Sequence, residues 1–199
     1  MTLLLIGVTV ALSWYCFDRP GLLDRLLLWP PAIDRKRQYD RFLSHGFVHA
    51  DWQHLLFNMI TLYFFGTQVE RLLSPYIGAV GFVLFYLSAI LVAMLPTYLR
   101  HRHDPHYRSL GASGAVSAVL FVFILAAPWS LIFVFFLPVP AIVYAVVYVG
   151  YSVWADRHGN DNINHSAHLA GAAYGVLFTV AMEPAVLQSF LAKLLSPSF

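Results

Sequence analysis

The chain has 199 residues, of which 59% are hydrophobic and 11% charged, and its mean hydropathy is +0.68. Soluble domains are about 45–50% apolar and about 25% charged, and a chain of this size cannot bury such an excess in its own core. The composition therefore excludes an ordinary soluble enzyme and a disordered chain, and it favours a lipid surrounding. The net charge of +2 excludes nucleic acid as a partner. The single cysteine, Cys16, excludes a disulfide framework and a thiolate zinc site.

Five stretches free of Asp, Glu, Lys and Arg run through the chain, at 1–17, 52–69, 72–99, 109–155 and 162–182. A helix needs about 20 residues to cross a bilayer, so the fourth stretch holds two spans, separated at Pro128, Pro138 and Pro140. Continuous apolar runs favour helices over a barrel. The sequence predicts an all-α, polytopic membrane protein with six transmembrane helices, forming one domain over 1–199. The six predicted spans are 1–17, 52–70, 76–98, 113–128, 138–154 and 166–184.

The start of the chain is interpreted as a retained helix, because span one lacks the basic region and the small-residue cleavage site of a signal peptide. The loop that follows, 18–51, mixes Asp and Arg with leucines, Trp29 and two prolines. Such amphipathic material is typical of a segment that lies in the headgroup region.

Polar residues inside predicted spans are costly in lipid, so they indicate functional sites. His54 and Asn58 begin span two, Ser113 begins span four, and His168 lies near the start of span six. Even-numbered spans cross the bilayer in the same direction, so their first turns lie at one face and at similar depth. The topology alone is therefore expected to bring these residues to one level.

The chemistry of the set is that of acyl transfer. Serine and histidine are the minimal nucleophile and general base. A serine at a helix N-terminus has backbone N–H groups and a helix dipole that favour an oxyanion, and His54 and Asn58 would add donors to it. The spans contain no carboxylate beside these groups, so a Ser113–His168 dyad is favoured over a triad.

Four glycines accompany the polar residues. Gly111 and Gly114 flank the serine and permit a substrate to approach the backbone closely. Gly171 and Gly175 are spaced as G-x-x-x-G, which lets span six approach a neighbouring helix. We expect that neighbour to be span four, so that their contact sets the distance between serine and histidine. The small residues expected on span four are Ala112, Ala115, Ser117 and Ala118.

At these residues the sequence resembles the rhomboid family of intramembrane serine proteases, over about residues 41–175. The matching pieces are Ser44-His45-Gly46-Phe47-Val48-His49, His54-Leu55-Leu56-Phe57-Asn58-Met59, Gly111-Ala112-Ser113-Gly114 and Ala167-His168-Leu169-Ala170-Gly171. Each piece is weak alone, but their order makes a specific match. The resemblance implies that Ser113 is the nucleophile and His168 its base. It assigns the oxyanion hole to His54, Asn58 and the Ser113 N–H, with no metal and no organic cofactor.

The resemblance extends to other positions and shows two departures. Glu70 matches a structural carboxylate, and Arg41 matches the arginine of a Trp–Arg pair in the loop 18–51. Asp40 stands where the tryptophan of that pair is expected. Ser117 stands where a tyrosine often stacks on the catalytic histidine. The departures leave the packing of the loop and the orientation of His168 open.

The remaining polar residues have plainer interpretations. His45 and His49 are expected to hold the end of the loop by hydrogen bonding, and His165 is interpreted as a loop residue. The histidines in 101–106 are interpreted as part of a solvated loop, because no helical ligand pair accompanies them. Alternatives also stay open at the site itself. Ser113 would suit a helix cap, and His54 and Asn58 would suit hydrogen bonding between helices.

The sequence thus predicts an endopeptidase that cleaves peptide bonds in or near transmembrane segments of other proteins within the lipid bilayer. The resemblance points to span five and the loop at 154–164 as the part that moves when a substrate enters. The alternatives are a non-catalytic membrane chaperone or adaptor that binds transmembrane helices, and a histidine-rich metal transporter. We expect a multi-pass protein of a bacterial inner or plasma membrane.

Two arguments about orientation disagree. The family places the N-terminus in the cytoplasm and the active site outside, which leaves Arg71 and Lys193 as the cations inside. The positive-inside rule predicts the opposite orientation, because it places the side with more Lys and Arg in the cytoplasm. We adopt the family orientation, because the arginines of the loop 18–51 alternate with aspartates that are suited to pair with them.

Overall fold

The computed structural model describes residues 1–134, 136–159 and 163–197, and most of them are helical. The helices are α1 (Thr2–Phe17), α2 (Pro20–Leu26), α3 (Pro30–Lys36), α4 (Arg41–Ser44), α5 (Trp52–Thr61), α6 (Thr67–His101), α7 (Ser113–Ala126), α8 (Ala141–His158), α9 (His165–Met182) and α10 (Ala185–Leu195). A 3-10 turn, His45–Phe47, precedes α5, and a π-helical turn, Leu62–Gly66, joins α5 to α6. Strands β1 (Leu131–Val134) and β2 (Leu137–Pro140) form an antiparallel hairpin.

The helical class of the fold is confirmed, whereas the count of six spans stays a prediction. In the described part of the chain, one helical stretch, Trp52–His101, is long and apolar enough to cross a membrane, and it contains a non-helical residue at Gly78. Helices α9 and α10 meet that test together, as a pair bent by 114°. Helices α1 and α7 are apolar but shorter. The structure therefore has a helix at each predicted span. That each of these helices crosses the bilayer stays a prediction.

The break between predicted spans two and three lies at Gly78 rather than at 71–75. Helical hydrogen bonding continues through 71–75, and Gly78 has φ 65° and ψ 180°. Only a residue without a Cβ adopts this backbone conformation at little cost. The charged residues Glu70 and Arg71, which separate the two apolar stretches, were therefore a poor guide to this turn.

Helix α7 lies at the centre of the bundle, with every residue from Gly114 to Leu125 buried. The ring of Phe65 packs on Phe123 near the end of α7, at 4.9 Å between centroids. A Cβ on Gly114, at the start of α7, would lie 2.7 Å from the Cβ of Ala93. The two halves of Trp52–His101 therefore run in opposite directions beside α7. A helix that is apolar all round is suited to this central position.

Helix α9 is in backbone contact with α7. A Cβ built on Gly171 would lie 2.0 Å from the carbonyl oxygen of Gly114, and one on Gly175 would lie 2.2 Å from that of Ala118. Glycine is therefore required at both positions for the helices to approach this closely. This contact holds the N-terminal ends of the two helices side by side.

Several elements were not predicted. The loop 18–51 contains α2, α3 and α4, and the tail forms α10. Helix α8 begins at Ala141, slightly after the approximate start at 138 predicted for span five, because Pro138 and Pro140 belong to β2. Proline lacks a backbone donor, so it fits the edge of a two-stranded hairpin.

Arg41 holds the loop 18–51 together from within. It is 3% exposed, and its Nη1 donates to the carbonyl oxygens of Asp24 and Leu27 at 2.7 Å each. Its Nε donates to Gln38 Oε1 at 2.6 Å. One buried guanidinium thus joins three segments of the loop, as its five donors in a planar fork allow.

The tryptophan beside this arginine is Trp29, not a residue at position 40. The guanidinium of Arg41 lies 6.0 Å from the Trp29 ring centroid, and that of Arg108 lies 4.2 Å away. Asp40 instead accepts a hydrogen bond from Arg25 at 2.7 Å, which lowers the pKa of the Asp40 carboxyl. Arginine and aspartate of the loop are thus partly paired, as the orientation argument assumed.

Candidate active site

Ser113 and His168 meet at the N-terminal ends of α7 and α9. The distance from Ser113 Oγ to His168 Nε2 is 2.7 Å, which is a hydrogen bond. Ser113 is the first residue of α7, and His168 lies in the first turn of α9. The contact of Gly171 with Gly114 fixes the spacing of these two turns. A hydroxyl and an imidazole nitrogen at this separation have the geometry of a nucleophile and its general base.

His54 and Asn58 lie one turn apart on α5 and line the same cavity as the serine. Asn58 Nδ2 donates to the carbonyl oxygen of His54 at 2.9 Å, which orients its side chain along the helix. Asp51 caps α5 by accepting from the His54 backbone N–H at 2.7 Å. Both side chains carry N–H donors at the cavity that contains Ser113 Oγ.

Gly111 permits the turn that leads into α7. Its φ is 117°, and a Cβ there would lie 2.6 Å from Cε1 of His54. A side chain at 111 would therefore strain the backbone and displace the histidine ring. The glycine lets the backbone before Ser113 pass directly against His54.

The two histidines at the end of the loop support this turn in different ways. The Gly111 N–H donates to the carbonyl oxygen of His45 at 2.9 Å. The Ala112 N–H donates to His49 Nε2 at 3.3 Å, and His49 Nδ1 lies 3.0 Å from Ser13 Oγ. Because Nε2 accepts, the proton of a neutral His49 is on Nδ1 and is donated to Ser13. His49 thus connects α1 to the residue before the serine.

Burial keeps these two loop histidines neutral. It lowers the pKa of His45 to about 4 and that of His49 to about 3. A neutral His49 is required for the bond to Ala112, since an imidazolium has no acceptor nitrogen.

The start of α9 is held by Asn164. Its Oδ1 accepts from the Ala167 N–H at 3.0 Å and from Thr97 Oγ1 at 2.8 Å, and its Nδ2 donates to Ser109 Oγ at 3.2 Å. One amide therefore joins α9, α6 and the segment before α7. The interpretation of His165 as a loop residue is wrong, since it is buried and begins α9.

A tyrosine ring that sequence reasoning missed lies beside His168. Tyr148 of α8 is nearly parallel to the imidazole, at 13° and 6.2 Å between centroids. Its Oη lies 2.7 Å from Ser117 Oγ. No spacing pattern links residues this far apart, although a small polar residue at 117 leaves room for a ring from another helix.

A cavity of about 1050 Å³ surrounds these groups. It reaches from Ser113 and His168 to the polar loop around Asp104 and His106, which gives water a route to the serine. The polar side chains that line it include His54, Asn58, Ser113, Tyr144, Tyr148 and His168. Within the described residues, no three His, Cys, Asp or Glu side chains are grouped as metal ligands.

Glu70 and His101, two further residues singled out from the sequence, do not line the cavity. Glu70 accepts hydrogen bonds from the N–H and the hydroxyl of Thr2, at 2.8 Å each, and so ties α6 to the start of α1. In the loop at 101–106, His101 stacks on Tyr107 at 3.8 Å. Part of the predicted moving loop at 154–164, residues 160–162, lies outside the described residues.

Comparison with known proteins gives a consistent match. The model of the Rhomboid domain family matches residues 36–184. "RHOMBOID-like protein 12, mitochondrial" of Arabidopsis thaliana is 32% identical over 192 residues, covering 88% of this chain and 55% of that protein. "Rhomboid protein 1, mitochondrial" of Saccharomyces cerevisiae is 31% identical over 154 residues, covering 72% and 42%.

"Putative rhomboid protease YdcA" of Bacillus subtilis is 27% identical over 120 residues, covering 57% of this chain and 56% of that protein. The chain spans about half the length of the curated relatives it matches. Because two of these three relatives are mitochondrial, the expectation of a bacterial membrane gains no support from them.

Proposed function

Because the chain belongs to the rhomboid family of integral membrane proteins, we propose that it is an intramembrane serine endopeptidase with a Ser113–His168 dyad. Its substrates are membrane proteins, cleaved in or near a transmembrane segment. The observation that carries the proposal is the 2.7 Å separation of Ser113 Oγ and His168 Nε2 at the wall of a large cavity that polar side chains help to line.

Acylation follows from the positions of these two groups. Ser113 Oγ attacks the carbonyl carbon of the scissile peptide bond while its proton passes to His168 Nε2. The carbonyl oxygen becomes an oxyanion, which His54, Asn58 and the Ser113 N–H stabilise by hydrogen bonds. The C–N bond then breaks, the imidazolium returns its proton to the leaving amine, and an acyl-enzyme ester remains.

Deacylation uses His168 in the same two roles, with water in place of Ser113 as the nucleophile. A water molecule from the cavity gives its proton to His168 Nε2 and attacks the ester carbonyl. The second tetrahedral intermediate collapses as the bond between the acyl carbon and Ser113 Oγ breaks. His168 Nε2 returns the proton to Ser113 Oγ, and the carboxylic acid product leaves. The water that this step consumes reaches the ester through the cavity, which extends to the polar residues Asp104 and His106.

A fluorophosphonate probe tests the proposal without knowledge of the natural substrate. We expect purified protein in detergent to be labelled at Ser113, and Ser113→Ala and His168→Ala to abolish labelling. Ser74→Ala is the matched control, since the Ser74 hydroxyl bonds the carbonyl of Glu70 within α6. A labelled transmembrane peptide should be cleaved in parallel.

Cleavage of the peptide by Ser113→Ala at the wild-type rate would overturn the assignment. Binding of the peptide without labelling or cleavage would favour a chaperone or adaptor instead. Chelator sensitivity of a transport activity would favour the metal transporter.

A further inference from the structure

We infer that Tyr148 is a positioning residue that holds the imidazole of His168 toward Ser113, an inference that rests on the proposed function. The Tyr148 ring is nearly parallel to the His168 ring, at 13° and 6.2 Å between centroids. This spacing is within the range of offset stacked rings. The face of the tyrosine limits rotation of the imidazole about its Cβ–Cγ bond.

The Tyr148 ring is itself held in place by α7. Its Oη forms a 2.7 Å hydrogen bond with Ser117 Oγ, and Ser117 is 5% exposed. Its ring also packs against Phe121 at 5.6 Å. Ser117 and Phe121 follow Ser113 at intervals of four, so they share one face of α7 with the nucleophile. The nucleophile and the support of the base are therefore carried by one rigid helix.

A base of this kind needs a third group to orient it. In a triad that group is a carboxylate, and the stretches 109–155 and 162–182 contain no Asp or Glu. An aromatic face anchored through its hydroxyl restricts the imidazole without adding a charge. Helix α8 becomes part of the catalytic apparatus in this way, because Tyr148 is its contribution to the site.

Variants of Tyr148 and Ser117 separate the effect of the aromatic ring from the effect of the hydrogen bond that holds it. Tyr148→Leu removes the ring, while Tyr148→Phe and Ser117→Ala each remove the same hydrogen bond. We expect Tyr148→Leu to lower the maximal rate of fluorophosphonate labelling by about 10-fold, with about 100-fold as the upper bound for a misplaced catalytic group. Each of the other two variants should lower the maximal labelling rate by about 2- to 5-fold, as the loss of one hydrogen bond does. Tyr63→Leu, at a half-exposed tyrosine of the turn Leu62–Gly66, is the matched control.

Two readouts distinguish positioning from a role in folding. The variants should lower the maximal labelling rate, and kcat for a transmembrane peptide, while KM stays unchanged. The melting temperature of Ser117→Ala should stay near that of the wild type. The double variant Ser117→Ala with Tyr148→Phe should lose no more than either single variant, because both remove one bond.

Full labelling rates in Tyr148→Leu, Tyr148→Phe and Ser117→Ala would overturn the inference while leaving the proposed function intact. Losses that appear only in KM, or only in proportion to lost folded protein, would also overturn it. Failure of the wild type to be labelled at Ser113 would instead be failure of the proposed function.

Discussion

The carbonyl oxygen of Gly114 lies against Gly171, 2.0 Å from where a Cβ at position 171 would stand. This contact brings the first turns of α7 and α9 together and with them Ser113 and His168. The two residues are thus positioned by contact between backbone atoms. Such a contact requires no side chain to be fixed in one rotamer.

Replacing Gly171 by alanine should push the two helices apart. We expect Gly171→Ala to lower the free energy of unfolding by about 1–3 kcal/mol, as overpacking does, and to reduce labelling at Ser113. Thermal unfolding in detergent measures the first effect. Gly150→Ala is the control, because a Cβ on Gly150 of α8 meets nothing within 4 Å. It should leave stability unchanged or raise it by about 0.5–1 kcal/mol. Equal melting temperatures for the two variants would contradict the packing argument.

Under the proposed function, removing either side chain assigned to the oxyanion hole should slow catalysis. We expect His54→Ala and Asn58→Ala each to lower the rate of peptide cleavage by about 100- to 1000-fold. The single-turnover rate with a transmembrane peptide is the measurement. Gln68→Ala, which alters an exposed residue of α6, should leave this rate unchanged. A loss confined to KM would show that the two side chains bind substrate without stabilising the oxyanion.

Acid should weaken the fold through the buried loop histidines. Burial lowers the pKa of His45 from 6.5 to about 4, so below pH 6.5 the unfolded chain binds a proton that the folded chain does not. The free energy of unfolding should therefore fall between about pH 6.5 and pH 4, by up to about 3 kcal/mol. Melting temperatures across this range should decline less steeply in His45→Gln. His103→Gln, at an exposed histidine, should keep the wild-type slope, and an equal slope in all three proteins would contradict the prediction.

The cap of α9 should depend on the side-chain oxygen of Asn164. Asn164→Ala removes acceptors for the Ala167 N–H and for Thr97, so we expect a loss of about 2–3 kcal/mol in unfolding free energy. Asn164→Asp keeps that oxygen and places a negative charge at a helix N-terminus, so its loss should be smaller. Thermal unfolding compares them. Identical melting temperatures for the two variants would show that the oxygen is not what stabilises the cap.

The loop 18–51 should require arginine at position 41. Arg41→Lys cannot reproduce three donors in a planar fork, so we expect it to lower the unfolding free energy by about 1.5–3 kcal/mol. Protease nicking of the loop should increase with it. Arg35→Ala changes an exposed arginine of α3 and should leave both measurements unchanged. Wild-type behaviour of Arg41→Lys would mean that its charge alone is sufficient.

The sequence predicted well what depends on hydropathy and topology. The starts of the even-numbered spans were expected at one level, and the structure brings Ser113, His168 and His54 to one cavity. The sequence was a weaker guide to the rotation of each helix about its axis, which decides the side chains that face the cavity. Helix α8 is apolar on all sides, so its pattern gives no indication that Tyr148 faces His168.

Turns were also only partly predicted. The prolines correctly indicated a break between predicted spans four and five, although Pro138 and Pro140 lie in strand β2. The reversal between predicted spans two and three lies instead at Gly78. A glycine permits a positive φ but does not require one, so the residue type alone does not locate this turn. A single sequence does not state which of several possible residues will supply a turn.

The hydrogen bond between Ser113 and His168 joins residues 55 positions apart. Under the proposed function, a chain emerging from the ribosome therefore carries its nucleophile before its base has been made. Under the proposed function, the protein stays inert during its own biogenesis, and activity begins only when α9 has docked. Completion of the bundle thus acts as the activation step that many soluble proteases achieve by removing a propeptide.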